Sequence, residues 1–153
     1  MRSWLLILAL FALAPSPRTS YPAKVLSVHD GDTALLEVEL SKDRSRGAPY
    51  RVAYAWGVVE ERTNGWRRTL LVDLVRLHGI NTPELRETGG IEARERLKGL
   101  INGRMVRLEG NKRDKYGRLL GVIWLGTTNV CNLLVSEGLA APWDGTGEKP
   151  HPK

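Results

Sequence analysis

Two short motifs in the sequence carry oxygen atoms of the kind that bind a hard cation. In Asp30-Gly31-Asp32-Thr33, two carboxylates flank a glycine at a predicted turn between strands. In Asn81-Thr82-Pro83-Glu84, an amide oxygen, a backbone carbonyl and a carboxylate follow a predicted strand that carries Arg76. Ca²⁺ takes oxygen ligands of these types. Alone, each motif is explained as well by a plain turn, because Asp, Asn, Gly and Pro are common turn residues.

A third motif, Asp114-Lys115-Tyr116-Gly117-Arg118, adds positive charge in a polar turn before a hydrophobic strand. Its alternative interpretation is a solubilising hairpin turn. Hydrolysis of a phosphodiester needs a water nucleophile, a carboxylate that takes its proton, and positive charge on the phosphoryl oxygens. A divalent cation can polarise the phosphate, and arginine holds phosphate oxygens with two parallel N–H groups. Together the three motifs meet this specification.

The composition limits the kinds of site that the chain can build. Its 153 residues fit one domain. The single cysteine, Cys131, excludes an internal disulfide framework and a zinc site built on cysteines. With only three histidines, any metal site must be bound mostly by oxygen. The net charge of +6 makes an anionic partner such as nucleic acid plausible.

The N-terminus has the layout of a secretory signal peptide. Arg2 precedes an apolar run over 4–14, which is too short to span a membrane, and Ala12-Leu13-Ala14 has the form of a cleavage site. We therefore predict a signal peptide over residues 1–20 and a secreted or periplasmic protein with no membrane span after its removal. An uncleaved membrane anchor is the alternative.

The order of the predicted elements favours a small α+β domain whose antiparallel sheet can curl into a barrel. Strands are predicted on both sides of the Asp30-Gly31 turn and over four later segments: 50–62, 66–80, 104–109 and 118–125. Helices are predicted over 91–101 and 129–137. The domain is expected to span 21–143, followed by a flexible tail over 144–153.

The motifs, in this order, resemble those of the staphylococcal nuclease (thermonuclease, micrococcal nuclease) family. The resemblance covers about Val25 to Ala140 and includes a fourth motif, Glu137-Gly138-Leu139-Ala140. It implies an OB-fold, a five-stranded β-barrel with packed helices, here with a hairpin insertion and a shortened C-terminus. It also implies Ca²⁺-dependent cleavage of DNA and RNA at the 5′-oxygen bond, which leaves 3′-phosphate ends.

The same resemblance implies roles for five residues that act on the substrate. Arg76 and Arg118 match the family's phosphate-binding arginines, and Glu84 matches its proposed general base. Lys115 and Tyr116 match positions that contact the terminal phosphate of a bound nucleotide.

The metal ligands implied by the resemblance are Asp32, Asn81 and the backbone carbonyl of Thr82, which would hold one Ca²⁺ ion. Asn81 departs from the family pattern, which usually has a second aspartate there. An amide oxygen still ligates a hard cation, but one negative charge is lost. We therefore expect weaker Ca²⁺ affinity than at a site with two carboxylates.

Two further departures concern the stretch between the first and second motifs and the end of the sequence. An insertion over 41–70 carries several basic residues together with Trp56 and Trp66. It is either a substrate-binding flap whose tryptophans stack on bases or an extended barrel hairpin with the tryptophans in the core. The sequence also stops soon after Trp143, so we expect the family's last long helix to be absent or reduced to a tail, and Trp143 becomes a candidate for its base-stacking tyrosine.

Three functions remain open at this point. The first is an exported, Ca²⁺-dependent nuclease that acts as a monomer on DNA and/or RNA without a stable protein partner. The second is a non-catalytic nucleic-acid-binding OB-fold module, and the third is a basic exported barrel that binds an acidic surface polymer. Retention of Glu84 together with Asp32, Arg76 and Arg118 favours catalysis, because a binding module has no need of all four.

Overall fold

The computed structural model describes residues 20–152, apart from the side chain of Asn111. The predicted signal peptide therefore lies outside the described residues, except for Ser20 at its end. Within residues 20–152, no helix is both long and apolar enough to cross a membrane.

Alternating apolar residues build the first antiparallel pair, β1 (Ser20–Val28) and β2 (Thr33–Arg44). Ala23 and Val25 of β1 and Leu36 and Val38 of β2 point into the core and are almost completely buried. The Asp30-Gly31 turn predicted between the two strands is present, since β1 ends at Val28 and β2 begins at Thr33. This turn places Asp32 at the end of the barrel where the candidate site lies.

Five strands close into a barrel. The remaining strands of the ring are β5 (Trp66–Leu77), β7 (Met105–Arg113) and β8 (Leu119–Leu125). The hydrogen-bonded order is β5-β2-β1-β7-β8, and a parallel pairing of β5 with β8 closes the ring. A closed ring leaves none of these strands as an edge. The predicted five-stranded OB-type barrel with packed helices is confirmed.

Two helices cover the barrel. Helix α1 (Gly90–Ile101) buries Ala93, Leu97 and Ile101, which are four residues apart and therefore share one face. Helix α2 (Val130–Ser136) begins at Asn129, whose side chain accepts a hydrogen bond from the backbone N–H of Asn132. Both helices contribute to one continuous apolar core with the barrel strands.

The only cysteine of the chain, Cys131, lies in this core and is 3% exposed. Burial raises the pKa of its thiol to about 11, because the charged thiolate is poorly solvated there. The thiol is therefore a packing group and takes no part in the candidate site.

Two short strands on the barrel rim connect the site to the end of the chain. Strand β6 (Ile80–Asn81) pairs antiparallel with β10 (Ala141–Pro142), and β9 (Thr128–Asn129) pairs with β8. The β6–β10 pair brings the segment after Pro142 to the same side of the barrel as Asn81.

The predicted insertion forms a ribbon that extends β2 and β5 beyond the barrel. Its added strands are β3 (Tyr50–Ala53) and β4 (Val58–Thr63), with β4 pairing to β5 and β3 to β4. The single strand predicted over 50–62 is therefore wrong: a one-turn 3₁₀-helix at Ala55–Gly57 reverses the chain. The extended hairpin is present, and its use as a substrate-binding flap stays a prediction.

The tryptophans of this ribbon do not lie in the core, contrary to the expectation for an extended hairpin. Trp56 is 93% exposed and has a left-handed backbone conformation with φ of 62°. Trp66 is half-buried, and the cations of Lys42 and Arg44 lie 4.8 and 4.1 Å from the centre of its ring. The ring of Trp66 is thus packed by cations, an arrangement that is stabilising at a protein surface.

Candidate active site

One cavity of about 300 Å³ opens at the end of the barrel where four segments meet: the β1–β2 turn, the end of β5 with the loop after β6, the turn before β8, and the chain after β10. All eight residues that the resemblance assigned to the site line this cavity: Asp32, Arg76, Asn81, Thr82, Glu84, Lys115, Tyr116 and Arg118. The most distant of these residues, Asp32 and Arg118, are 86 positions apart in the sequence (118 minus 32) and lie in the same cavity.

Asp32 is the buried centre of the site. It is 6% exposed, and its Oδ2 accepts hydrogen bonds from the backbone N–H of Thr82 at 2.9 Å and from the Thr82 hydroxyl at 3.0 Å. The preceding Gly31 permits this approach, because a Cβ there would lie 2.7 Å from Oγ1 of Thr82 and 2.8 Å from the Cβ of Ala93. The glycine between the two aspartates is thus required by close packing.

Arg76 lies beside Asp32 with its guanidinium fixed on both sides. Its Nη2 lies 3.0 Å from Oδ2 of Asp32 and donates to Oδ1 of Asn81 at 3.4 Å, while Nη1 donates to the carbonyl of Leu77 at 2.9 Å. Arg76 is also only 6% exposed. The fixed guanidinium can therefore present positive charge to an anion without first being ordered.

Electrostatics around Asp32 favour an additional cation. Burial raises the pKa of the Asp32 carboxyl, Arg76 lowers it, and the neighbouring Asp30 raises it again, with a net result above the usual value. The positive charge of Arg76 thus compensates the buried carboxylate only in part.

The donor set at this point fits a hard divalent cation. The carboxylate of Asp32, the amide oxygen of Asn81, the backbone carbonyl of Thr82 and the carboxylate of Glu84 are all oxygen donors, the type that Ca²⁺ prefers. Among the described residues, no cluster of three His, Cys, Asp or Glu side chains has metal-binding geometry. The donors at this point are oxygens, whereas cysteine and histidine predominate among the ligands of zinc sites.

Glu84 lies on a tight turn at the mouth of the cavity. Its backbone N–H donates to the carboxylate of Glu87 at 2.7 Å, and its carbonyl accepts from the N–H of Glu87 at 2.8 Å. Helix α1 begins directly against this turn, since a Cβ at Gly90 would lie 2.0 Å from the carbonyl oxygen of Glu84. The side chain of Glu84 is 59% exposed, and Oε1 accepts a hydrogen bond from Nζ of Lys149 at 2.7 Å.

Asp114 organises the turn that carries Arg118. Its Oδ1 accepts from the backbone N–H groups of Tyr116 and Arg118 at 2.9 and 3.0 Å, and its Oδ2 accepts from Nε of Arg118 at 2.8 Å. Partial burial acts to raise the pKa of Asp114, but hydrogen bonds from Arg118 and Tyr116 outweigh it and hold this pKa below its usual value. Asp114 therefore fixes both the backbone of the turn and the guanidinium that faces the cavity.

We expect the Asp114→Asn variant to be less stable than the wild type by roughly 1–3 kcal/mol at neutral pH, because an amide cannot accept both hydrogen bonds from the charged Arg118. A carboxyl whose pKa is lowered on folding stabilises the protein above its unfolded-state pKa, here near 3.8, and loses this contribution as the pH falls through the folded-state pKa. The difference in unfolding free energy between the two proteins should thus be largest at neutral pH and shrink in acid.

Denaturant unfolding of both proteins at neutral pH and at about pH 3 measures this difference. Asp43→Asn, on the exposed part of β2, is the matched control and should show no such dependence. A stability difference that is the same at both pH values would contradict the role of the Asp114 carboxylate.

Lys115 and Tyr116 form the outer wall of the cavity. Tyr116 is 72% exposed, and the cations of Lys115 and Arg118 lie 5.1 and 5.5 Å from the centre of its ring. An exposed ring with two cations nearby suits a ligand that combines a flat surface with negative charge, such as a nucleotide.

The structure adds Lys149, which belongs to none of the motifs, to the lining of the cavity. Asp30 and Pro83 of the first two motifs also line it, as does Trp143, whose indole N–H donates to the carbonyl of Thr146. The position of Asp114 before a Lys-Tyr-Gly turn is a local signal that could have identified its role. Lys149 has no such signal, because its contact with Glu84 is made across 65 residues by an irregular segment.

The charges of the cavity suit an anionic ligand held together with a cation. Four cationic side chains, Arg76, Lys115, Arg118 and Lys149, face three carboxylates, Asp30, Asp32 and Glu84. The two arginines come from neighbouring elements: Arg76 lies on β5, and Arg118 directly precedes β8, which pairs with β5 in parallel. This combination of fixed positive charge, several oxygen donors and an exposed carboxylate suits phosphoryl chemistry with water.

Comparison with known proteins supports this interpretation. The chain is similar to the SPbeta prophage-derived endonuclease YokF of Bacillus subtilis (strain 168), with 40% identity over 78 residues that cover 45% of this chain and 26% of that protein. It is 38% identical to Endonuclease YncB of the same organism over 77 residues, 44% of this chain and 36% of that protein. Thermonuclease of Staphylococcus hyicus is 36% identical over 74 residues, 43% of this chain and 44% of that protein. The chain thus spans less than half the length of these relatives.

A family model described as "Staphylococcal nuclease homologue" matches residues 74–150, half of the chain. The match begins within β5 just before Arg76 and runs through Lys149, so it contains most of the cavity wall. The barrel topology and the converging motifs agree with this match, and the chain therefore belongs to the staphylococcal nuclease family.

Proposed function

We propose that this protein is an exported nuclease that hydrolyses phosphodiester bonds of DNA and/or RNA with the help of Ca²⁺. The observation that carries the proposal is the convergence of the Glu84 carboxylate, two fixed arginines and several further oxygen donors on one cavity. Membership of a nuclease family and the similarity to two endonucleases and a thermonuclease support it further.

In the proposed reaction, Glu84 takes a proton from the attacking water. Its exposed side chain at the mouth of the cavity is accessible to solvent, as a general base that acts on water must be. The water attacks the phosphorus, negative charge builds up on the phosphoryl oxygens, and the bond to the leaving 5′-oxygen breaks. The proton passes from the attacking water to the carboxylate of Glu84, and the leaving 5′-oxygen takes a proton from solvent water; Glu84 then returns its proton to solvent.

Arg76 and Arg118 stabilise the charge that develops on the phosphoryl oxygens. Each guanidinium is already held by a carboxylate, Arg76 by Asp32 and Arg118 by Asp114, so that little reorganisation is needed when the charge appears. Lys115 and Tyr116, which line the same cavity, would contact the terminal phosphate of the bound nucleotide.

Asp32, Asn81 and the Thr82 carbonyl would hold the Ca²⁺ ion. When bound, the ion supplies Lewis-acid polarisation of a phosphoryl oxygen. The protein's own contribution is to keep these oxygens in place: Thr82 is tied to Asp32 by two hydrogen bonds, and Asn81 to Arg76 by one.

The decisive experiment incubates the purified protein with single- and double-stranded DNA and RNA, in Ca²⁺ and in chelator. Cleavage in Ca²⁺ that stops in chelator is expected. Binding without cleavage in every condition would support the non-catalytic nucleic-acid-binding module instead. Absence of both binding and cleavage would overturn the proposal.

The Asn81→Asp variant is expected to bind Ca²⁺ about tenfold more tightly, because a second carboxylate adds negative charge to the donor set. The same substitution removes a hydrogen bond. Nδ2 of Asn81 donates to the carbonyl of Pro150 at 3.0 Å, and a carboxylate oxygen at this position would repel that carbonyl oxygen. Calorimetric titration with Ca²⁺ measures the affinity, and Asn81→Ala should bind more weakly than wild type. Equal Ca²⁺ affinity in all three proteins would show that position 81 is not a ligand.

A further inference from the structure

The segment that follows β10 crosses the mouth of the cavity and is attached on both sides. The backbone N–H of Trp143 donates to the carbonyl of Gly79 at 2.9 Å, and the carbonyl of Pro150 accepts from the buried Asn81 amide. Between these attachments, Asp144 accepts two hydrogen bonds from Thr146, at 2.8 and 2.7 Å. We refer to residues 144–152 as the C-terminal segment.

The two attachments determine where Lys149 lies. It directly precedes Pro150, whose carbonyl is fixed by Asn81, and its Nζ donates to Oε1 of Glu84 at 2.7 Å. Both side chains are about half exposed, 53% for Lys149 and 59% for Glu84. An ion pair with this exposure is weak and can be exchanged for another partner.

Lys149 differs from the two arginines of the cavity in what holds it. Arg76 and Arg118 are held by Asp32 and Asp114, carboxylates that position them. Lys149 is held by Glu84, the residue proposed to accept the proton from water. An ammonium group has three donors and a flexible stem, so it can move to a phosphate oxygen that enters the cavity.

We infer that Lys149 is a substrate-binding residue that exchanges Glu84 for a phosphate oxygen of the bound nucleic acid. This inference rests on the proposed function. The incoming phosphodiester competes with the Glu84 carboxylate for the ammonium group. Substrate entry thereby releases Oε1 of Glu84 for proton transfer, and the base becomes available only when there is a phosphate to attack.

The test measures the binding of a fluorescent single-stranded DNA in chelator, so that no cleavage occurs, at a series of salt concentrations. Each phosphate contact with single-stranded nucleic acid contributes about 0.7 to the slope of log Kd against log salt. Lys149→Gln should lower this slope by about 0.7 and weaken binding roughly fivefold at low salt. Lys149→Arg, which keeps the charge, should retain both.

Lys98→Gln is the matched control, because Lys98 is exposed on α1 and does not line the cavity. An equal loss of slope in Lys98→Gln would overturn the inference, since it would show a general charge effect. An unchanged slope in Lys149→Gln would overturn it as well. Thermal unfolding of each variant confirms that it is folded.

Turnover in Ca²⁺ distinguishes substrate binding from simple blocking of the base. If Lys149 only blocked Glu84, Lys149→Gln would show a higher kcat and unchanged affinity, and the inference would be wrong. If the wild type binds DNA but never cleaves it, the hydrolytic function fails, while the phosphate contact of Lys149 is still decided by the slope.

Discussion

Replacing Glu84 by Gln is expected to lower kcat by a factor of roughly 10²–10⁴, the range typical of general-base catalysis. The amide has the same shape as the carboxylate but cannot take a proton from water at neutral pH. Substrate affinity in chelator should be retained or rise slightly, because Arg76, Arg118 and Lys115 remain in place and Lys149 no longer pairs with a carboxylate that competes with the phosphate. The free energy of unfolding should hardly change, since the exposed pair of Glu84 with Lys149 contributes little.

Glu92→Gln provides the matched control for this variant. It makes the same chemical change at an exposed position of α1 that does not line the cavity, so its kcat should equal that of the wild type. Initial rates on DNA in Ca²⁺ over a range of substrate concentrations separate kcat from KM. An unaffected kcat in Glu84→Gln would remove Glu84 from the role of general base.

Replacing Arg76 by Met should have the second largest effect, and on two properties at once. Loss of one positive group from the phosphoryl site is expected to lower kcat about 10²–10³-fold. The same change leaves the buried Asp32 without the guanidinium 3.0 Å away, which should cost roughly 3–5 kcal/mol of folding stability.

A double variant separates these two effects. In Arg76→Met/Asp32→Asn, a neutral amide replaces the carboxylate that would otherwise lose its partner. Most of the folding stability should therefore return, while activity stays low. Chemical denaturation gives the stability and initial rates give the activity. Full turnover in Arg76→Met, or a stability loss that persists in the double variant, would each contradict the roles assigned to this pair.

Strands and turns that carry the site are predictable from the sequence because they depend on local patterns, whereas the five-stranded barrel and the common site are implied by the resemblance to the family. The alternation in β1 and β2 and the Asp-Gly turn between them determine where Asp32 lies, and the Asp114 turn determines where Arg118 lies. Two glycines allow the close packing around these turns. A side chain at Gly31 would collide with Thr82, and one at Gly90 would collide with the backbone of Glu84.

The ribbon and the C-terminal segment could not be predicted in the same way. The turn between β3 and β4 has no Asn-Gly or Asp-Gly signal, and Trp56 adopts a left-handed conformation there that is rare for a large side chain. The alternating pattern over 50–62 therefore indicates one strand. The contact of Lys149 with Glu84 depends on irregular backbone held by long-range hydrogen bonds, for which one sequence contains no local pattern.

The burial of Cys131 has a practical consequence for studying the ribbon. Because its thiol is enclosed in the core and rarely ionised, reagents that label thiolates will leave it unmodified in the folded protein. A cysteine introduced at the exposed Ala48, in the loop between β2 and β3, would then be the single site for a fluorescent label. Energy transfer from that label to a dye on bound DNA would show whether the ribbon approaches the nucleic acid, without any change to the native cysteine.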